Sequence, residues 1–313
     1  MPFKQTSQKF NAALRTVEVG TGDKKLVLGG ENVLPFYTFD APIENAPRIG
    51  VEISTLGLES YSKGLQEYYA GATTYAEIAK KASEMEGADF IAINMIAGDP
   101  NGEDMSLEEL VSIAEEVAGA TDLPIMIMGC NSHDKDAKLF DKVAAILEDK
   151  NIVTMSAAEE NYKLVGASVG MAYGQITGAE SSVDINLAKQ LNVLLTQLGV
   201  SADKILNNVG SAAAGYGFEY VVSTMDRIRL AALTQNDPML QMPIVTPVSP
   251  DAWGVKESVA DEADFPEWGP ADERGVRMEI STAASCLISG SHAVILRHPK
   301  SVATISKLIK ELL

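Results

Sequence analysis

The chain has 313 residues, of which 46% are hydrophobic and 22% are charged, a composition typical of a folded globular protein. Its formal net charge of −18 disfavours binding to nucleic acid or to anionic membranes, because both are themselves negatively charged. The 2 cysteines lie far apart and outside any CxxC motif, which is too few to ligate an iron–sulfur cluster or a structural zinc.

An N-terminal extension over residues 1–47 precedes the predicted main domain, residues 48–313. Within the extension, RTVEVG and KKLVLGG alternate as strands do, and a turn from Gly20 to Asp23 separates them, which predicts a β-hairpin. A lone hairpin is only marginally stable, so we expect it to pack on the main body or on a partner. The first residues lack the apolar core of a signal peptide, and no long apolar run predicts a membrane helix, so the expected location is the cytoplasm.

From residue 48 onward, short apolar segments alternate with segments of helical periodicity. Capping-box patterns at Thr74 and Ser106 mark two helix starts. The predicted strands are 48–53, 89–95, 124–129, 152–157, 175–180, 204–209, 243–247 and 292–297. The predicted helices are 74–86, 106–118, 136–147, 161–173, 184–198, the segment ending at 233, 273–288 and 301–313.

These strand–helix units predict a (β/α)₈ TIM barrel with an N-terminal β-hairpin extension, an α/β fold. The predicted strands are nearly all apolar, as strands buried on both faces should be. A doubly wound open sheet is the alternative. It would need a break into two halves, and no linker in this chain provides one.

The stretch 207–233 is a predicted βα unit in which a glycine-containing loop joins strand to helix. Gly210, Gly215 and Gly217 match neither GxGxxG nor a P-loop. Such a loop lets backbone approach a ligand closely, although a simple need for permissive backbone would also explain it. In the following helix, Arg229 is assigned to a polar face together with Asp226.

Functional residues of a TIM barrel lie on the loops that follow its strands. These positions are rich in hydrogen-bonding groups and poor in catalytic ones, so they predict hydrogen bonding or close packing rather than proton transfer. No catalytic or metal-binding residue is predicted. The candidate mouth residues are Asn94, Asn131, Asp184, Asn186, Asn208, Gly215, Tyr216, Gly217 and Thr246.

The long connection after the seventh strand is a second candidate surface. It carries Trp253, Phe265 and Trp268 in a chain with only 2 tryptophans. Exposed aromatic anchors favour contact with another protein. The alternative is a lid folded over the barrel mouth.

Four blocks of the chain resemble a known family. They are LPFYTFD (34–40), DINLAKQLNVLL (184–195), GYGFEYVVSTMDRIRLAAL (215–233) and RGVRMEISTAASCLISGSHAVILRHPKSV (274–302). In this order they resemble the small, delta-type subunit of the corrinoid iron–sulfur protein of the CO dehydrogenase/acetyl-CoA synthase system. The resemblance covers essentially the whole chain.

The resemblance implies a heterodimer with a large subunit that alone carries a 4Fe–4S cluster, and a corrinoid (cobalamin) at the interface of the two. The pair would carry a methyl group from methyltetrahydrofolate methyltransferase to acetyl-CoA synthase/CO dehydrogenase in the Wood–Ljungdahl pathway. The candidate mouth residues would face the corrinoid, and this subunit is not expected to be catalytic alone. Two alternatives remain: a barrel methyltransferase that binds methyltetrahydrofolate itself through Asn94, Asp184 and Asn208, and a non-catalytic assembly scaffold.

Overall fold

Parallel strands surround the core of the molecule, and an antiparallel hairpin precedes them in the chain. The computed structural model describes residues 6–313. The hairpin strands are β1 (Thr16–Val19) and β2 (Leu26–Gly29). The 8 barrel strands are β3 (Arg48–Ser54), β4 (Phe90–Asn94), β5 (Ile125–Met128), β6 (Val153–Ala157), β7 (Ile176–Glu180), β8 (Ile205–Asn208), β9 (Val245–Pro247) and β10 (Ala293–Leu296).

The strand order is that of a TIM barrel, β8-β7-β6-β5-β4-β3-β10-β9, with every neighbouring pair parallel. A parallel bridge between Asn207 and Ile244 links the two ends of this sheet. The predicted (β/α)₈ fold and the predicted hairpin are therefore confirmed.

Helices fill the connections between the strands. They are α1 (Lys63–Tyr68), α2 (Tyr75–Ser83), α3 (Leu107–Ala120), α4 (His133–Ile146), α5 (Tyr162–Val165), α6 (Ile185–Leu198), α7 (Phe218–Thr234), α8 (Val248–Ala252), α9 (Lys256–Val259), α10 (Ala271–Ser289) and α11 (Pro299–Leu312). Both predicted capping boxes are present, at Thr74 and at Ser106. Asp184 caps α6, and Gly199 ends that helix in the left-handed conformation with φ 117°.

The single helix predicted over 161–173 is wrong in its second half. There α5 passes into a π-helical segment, Gly166–Ala172. Gly166 and Gly170 lower the α-helical propensity of this segment. The short helices α1, α8 and α9 were not predicted, because few-residue helices carry too little periodicity to detect.

The hairpin closes the end of the barrel at which the strands begin. Its side chains Val17, Val19, Leu26 and Leu28 belong to the same apolar cluster as the inward-facing side chains of the barrel strands. The backbone N–H of Gly20 donates to the carbonyl of Asn151, which lies just before β6. The expected packing of the hairpin on the main body is thus observed, and only the opposite end of the barrel is left as a mouth.

A buried charged cluster ties the N-terminal extension to the barrel. Arg229 Nη1 lies 2.5 Å and His292 Nε2 2.7 Å from Glu31 Oε1. Burial opposes ionisation of Glu31, but the neighbouring His292 and Arg229 outweigh it and hold the pKa of this carboxyl well below its usual range. The assignment of Arg229 to a polar face of α7 is therefore wrong. The cause is a partner 198 residues away in the sequence, which helical periodicity cannot reveal.

Candidate functional site

A cavity of about 830 Å³ opens at the carboxyl ends of the barrel strands. Alternation along each strand decides which side chains reach it. In β3, Ile49, Val51 and Ile53 pack in the outer apolar layer, so Glu52 and Ser54 point into the barrel. The strand and strand-end residues that line the cavity are Ser54, Asn94, Met128, Met155, Ser156, Glu180, Asn208, Pro247 and Arg297.

A hydrogen-bonded ion pair forms one wall of the mouth. Arg297 Nη2 donates to both Glu52 oxygens, at 2.9 and 3.1 Å, and Asn94 Nδ2 donates to Glu52 Oε1 at 2.8 Å. Glu52 is completely buried. Burial would raise the pKa of Glu52, but the Arg297 guanidinium and the hydrogen bonds lower it below its usual value, so this carboxylate stays ionised.

Three further carboxyl groups line the cavity, from Asp136, Glu180 and Asp251. Burial raises the pKa of each of them. The N–H of Cys130 donates to Asp136 Oδ1 at 2.6 Å, which partly offsets this burial. The mouth is therefore rich in hydrogen-bond acceptors, and carboxyl groups held in this way are candidates for ligand recognition.

Three of the predicted mouth residues, Asn94, Asn131 and Asn208, line the cavity. Asn208 is held in place, since its Nδ2 donates to Ser156 Oγ at 2.9 Å and its Oδ1 accepts from the N–H of Gly210 at 3.0 Å. Asn131 lies at the rim, exposed and in the left-handed conformation with φ 60°. Asparagine tolerates this conformation better than most residues.

The other predicted residues lie outside the cavity lining. Asp184 and Asn186 are exposed at the start of α6, where Asp184 Oδ1 accepts from the N–H of Asn186 at 2.7 Å. Thr246 is buried, with its Oγ1 2.9 Å from Ser291 Oγ. It therefore faces away from the mouth, because its strand neighbours Val245 and Pro247 face inward.

Gly215 and Gly217 flank Tyr216 on an exposed loop beside the mouth. Both glycines have positive φ, 93° and 81°, which other residues adopt at a cost. The hydroxyl of Tyr216 donates to Glu257 Oε2 at 2.6 Å, so this loop is tied to α9. Tyr216 is 51% exposed and available for contact with a partner or a large ligand.

The aromatic residues of the loop after β9 lie in two different environments. Trp253 was expected to be exposed, but it is buried, lines the cavity and stacks on His298 with ring centroids 6.0 Å apart. Trp268 is 37% exposed and stacks on Phe265 at 4.2 Å, with Lys256 Nζ 4.3 Å from the Phe265 ring centroid. Trp253 is therefore a wall of the mouth, and only the Phe265–Trp268 pair remains a candidate contact surface.

Sequence reasoning missed the charged residues of the mouth, Glu52, Asp136, Glu180, Asp251 and Arg297. Glu52 carried a usable signal, because a charged residue between the apolar Val51 and Ile53 of a predicted buried strand needs a buried partner. Its partner, Arg297, ends another apolar strand. The sequence indicates that these two strands are neighbours only if the predicted barrel is closed, which brings its first and last strands together.

Neither cysteine lines the cavity, although the backbone N–H of Cys130 bonds to Asp136, which does. Cys130 and Cys286 are both buried and free, and burial raises the pKa of the Cys130 thiol to about 12. Within residues 6–313, no group of three or more His, Cys, Asp or Glu side chains could hold a metal ion. No helix in the same range is both long and apolar enough to span a bilayer.

Fold and site together define a TIM-barrel protein that is plugged at one end and open at the other through a polar, acceptor-rich mouth. Residues 16–299 match the family described as the CO dehydrogenase/acetyl-CoA synthase delta subunit. The chain belongs to this family.

Individual relatives agree with this assignment. The chain is similar to the acetyl-CoA decarbonylase/synthase complex subunit delta 2 of Methanosarcina acetivorans, with 33% identity over 94% of this chain and 67% of that protein. The delta subunit of Archaeoglobus fulgidus is 31% identical over 94% of this chain and 65% of its own length.

Among solved structures, the fold is similar to that of dihydropteroate synthases. The enzyme of Xanthomonas albilineans gives a TM-score of 0.57 at 12% identity, covering 95% of this chain and 98% of that one. The enzyme of Vibrio fischeri gives 0.57 at 12% identity, covering 94% and 97%. At such identities the likeness concerns the fold alone.

Proposed function

We propose that this chain is the small subunit of a corrinoid iron–sulfur protein that carries a methyl group from methyltetrahydrofolate:corrinoid methyltransferase to acetyl-CoA synthase. Its barrel mouth packs against the corrinoid and against the large subunit that holds it. The observation that carries this proposal is the open cavity of about 830 Å³, whose lining is rich in amide, hydroxyl and carboxyl groups. Such a mouth can hydrogen-bond to a ligand and cover it.

The mouth fits a corrinoid in its chemistry. The corrin ring is flat and bears amide side chains at its edge, and amides hydrogen-bond to the kinds of groups that line this cavity, such as Asn94, Asn131 and Glu180. A bound corrinoid supplies the cobalt that carries the methyl group. The residues of this chain bind its edge, fix its orientation and exclude water from its face.

Family membership supports the proposed partners. The curated relatives are named as delta subunits of acetyl-CoA decarbonylase/synthase complexes. By extension, we assign to this chain a large subunit with the 4Fe–4S cluster, the methyltransferase and the acetyl-CoA synthase/CO dehydrogenase as partners. The exposed Tyr216 and the Phe265–Trp268 pair provide aromatic surface for these contacts.

Co-purification tests this proposal. The chain is expressed alone and together with the large subunit from the same organism, and each product is purified and examined by absorbance spectroscopy. Corrinoid and cluster absorbance is expected only in the pair. A pair that fails to form, or one that forms but retains no corrinoid, would contradict the proposed role.

A second function is favoured by one feature of the cavity. Its volume of about 830 Å³ lies within the range of sites that enclose a small molecule. Under this alternative, the barrel binds methyltetrahydrofolate itself and acts as a methyltransferase. Titration of the isolated chain with methyltetrahydrofolate separates the two proposals, because tight binding without the partner supports the enzyme.

A further inference from the structure

We propose that Asn94 and Arg297, both held by Glu52, form a subsite in the mouth that recognises a neutral carboxamide or lactam group. This inference deepens the proposed function. It rests on that function in one respect, namely that the mouth receives a ligand. It concerns which chemical group of the ligand enters and which residues select that group.

Asn94 supplies the acceptor of the subsite. A carboxylate can only accept hydrogen bonds, so the Asn94 atom that lies 2.8 Å from Glu52 Oε1 must be the amide nitrogen. This fixes the orientation of the amide and leaves Oδ1 without a hydrogen-bond partner among residues 6–313. Asn94 is only 8% exposed and lines the cavity, and its Oδ1 remains accessible to solvent. A nine-tenths buried side chain therefore presents an unused acceptor to the cavity.

Arg297 supplies the donor. Its Nε and Nη2 atoms bond to Glu52, whereas Nη1 makes no hydrogen bond within the described part of the chain and is likewise not sealed from solvent. The guanidinium carbon lies 5.3 Å from the centroid of the Tyr61 ring, which supports it from the side. Arg297 lines the cavity, and its charge is balanced by that of Glu52.

One acceptor and one donor, anchored on the same carboxylate, match a group that carries a C=O beside an N–H. A carboxamide or a lactam edge has this arrangement. A carboxylate ligand offers two acceptors, so one of its oxygens would meet Asn94 Oδ1. It would also be repelled by the Glu180 and Asp251 carboxyl groups that line the same cavity. The subsite is therefore expected to select amides over acids.

Two kinds of ligand could bring this group, and isothermal titration distinguishes them. The corrinoid arm uses the corrinoid-free pair of this chain with its large subunit, and the pterin arm uses the full-length chain alone. In the first arm, cyanocobalamin, which bears peripheral amides, is compared with its monocarboxylic acids. In the second arm, 6-methylpterin, which has a lactam edge, is compared with 2,4-diamino-6-methylpteridine, which lacks one. The variants are Asn94→Ala and Arg297→Lys, the latter keeping the charge beside Glu52 but losing the planar fork. Asn101→Ala, on an exposed loop outside the cavity lining, is the matched control.

In at least one arm, the amide or lactam probe should bind at least about tenfold tighter than its analogue. The ratio of the two dissociation constants, analogue over amide or lactam probe, should fall towards one in both variants and stay unchanged in Asn101→Ala. Thermal unfolding checks that each variant is folded. If Arg297→Lys does not fold, the Asn94→Ala variant alone is enough to test the subsite. No preference in either arm, or a preference that survives Asn94→Ala, overturns the subsite. Corrinoid retained by the co-purified pair despite such a result would leave the proposed function standing and only this inference refuted.

Discussion

Glu52 and Arg297 lie 245 residues apart in the sequence, yet they form a two-pronged ion pair at the barrel mouth, with Arg297 Nη2 2.9 Å from Glu52 Oε1. The pair joins β3, the first strand of the barrel, to the end of β10, the last one, and these strands are direct neighbours. Closing the barrel is therefore what assembles this wall of the mouth. The site and the fold are coupled through one buried carboxylate.

Breaking this pair should destabilise the protein. Arg297→Met leaves Glu52 buried without its counter-ion, which is expected to cost about 3–5 kcal/mol of unfolding free energy. Because Arg297 and the hydrogen bonds lower the pKa of Glu52 in the folded state below its ordinary value of 4.5, its stabilising contribution is fully present above that pH and is lost as the pH falls through the lower folded-state pKa. The deficit of the variant should therefore shrink on acidification. Urea unfolding at pH 7 and at about pH 4 measures both effects.

The double variant Glu52→Gln with Arg297→Met is the control for this experiment. It removes both charges, so no uncompensated ion remains, and it should recover most of the lost stability. An Arg297→Met protein as stable as the unchanged chain at pH 7 would mean that the pair contributes nothing to the fold.

Much of the barrel could be predicted because its signals are local. The strand positions, most of the helices and the capping boxes at Thr74 and Ser106 each depend on a few neighbouring residues, and they are found in the structure. The second half of the helix predicted over 161–173 is a local exception. The other failure arose because distant residues decide the outcome. Arg229 was assigned to a polar face, but Glu31 and His292 draw it into the interior.

The site was harder to predict, because the direction of a side chain depends on strand pairing. Asn94 and Asn208 end strands in the inward register and line the cavity, whereas Thr246 in β9 has the outward register and does not. Asp184 was selected as a polar residue after a strand, but its carboxylate is used to cap α6. A polar residue that follows a strand is thus as easily a structural cap as a ligand contact.

The hairpin plug should contribute strongly to stability. Leu28 is 1% exposed and packs in the apolar cluster inside the barrel, so Leu28→Ala should cost about 2–5 kcal/mol. Its neighbour Val27 is only half buried and lies on the opposite face of β2, so Val27→Ala is the matched control and should cost less. Chemical denaturation of the two variants checks this. Equal losses would indicate that the hairpin does not share the barrel core.

The Glu180 carboxyl should make the protein less stable at neutral pH than an amide in the same place. Burial raises its folded-state pKa above the ordinary value of 4.5, so ionisation at pH 7 is penalised in the folded state only. Glu180→Gln should therefore raise the thermal unfolding midpoint at pH 7, and the gain should vanish as the pH falls below 4.5, where both states of the unchanged chain are protonated. The exposed Glu219, substituted in the same way, is the control. A gain that is independent of pH would point to packing rather than to ionisation.

The Tyr216 loop should govern how well the mouth protects a bound corrinoid. Its hydroxyl holds Glu257 on α9 at 2.6 Å. Because Tyr216 is exposed and Glu257 is only half-buried, Tyr216→Phe should change the unfolding midpoint little while releasing the loop. In the complex with the large subunit, the reduced corrinoid should then be reoxidised by air several-fold faster, as followed by its absorbance, because water and oxygen reach its face more freely. Tyr220→Phe is the matched control, since Tyr220 is 65% exposed. Identical reoxidation rates in Tyr216→Phe, Tyr220→Phe and the unchanged complex would show that this loop does not shield the cofactor.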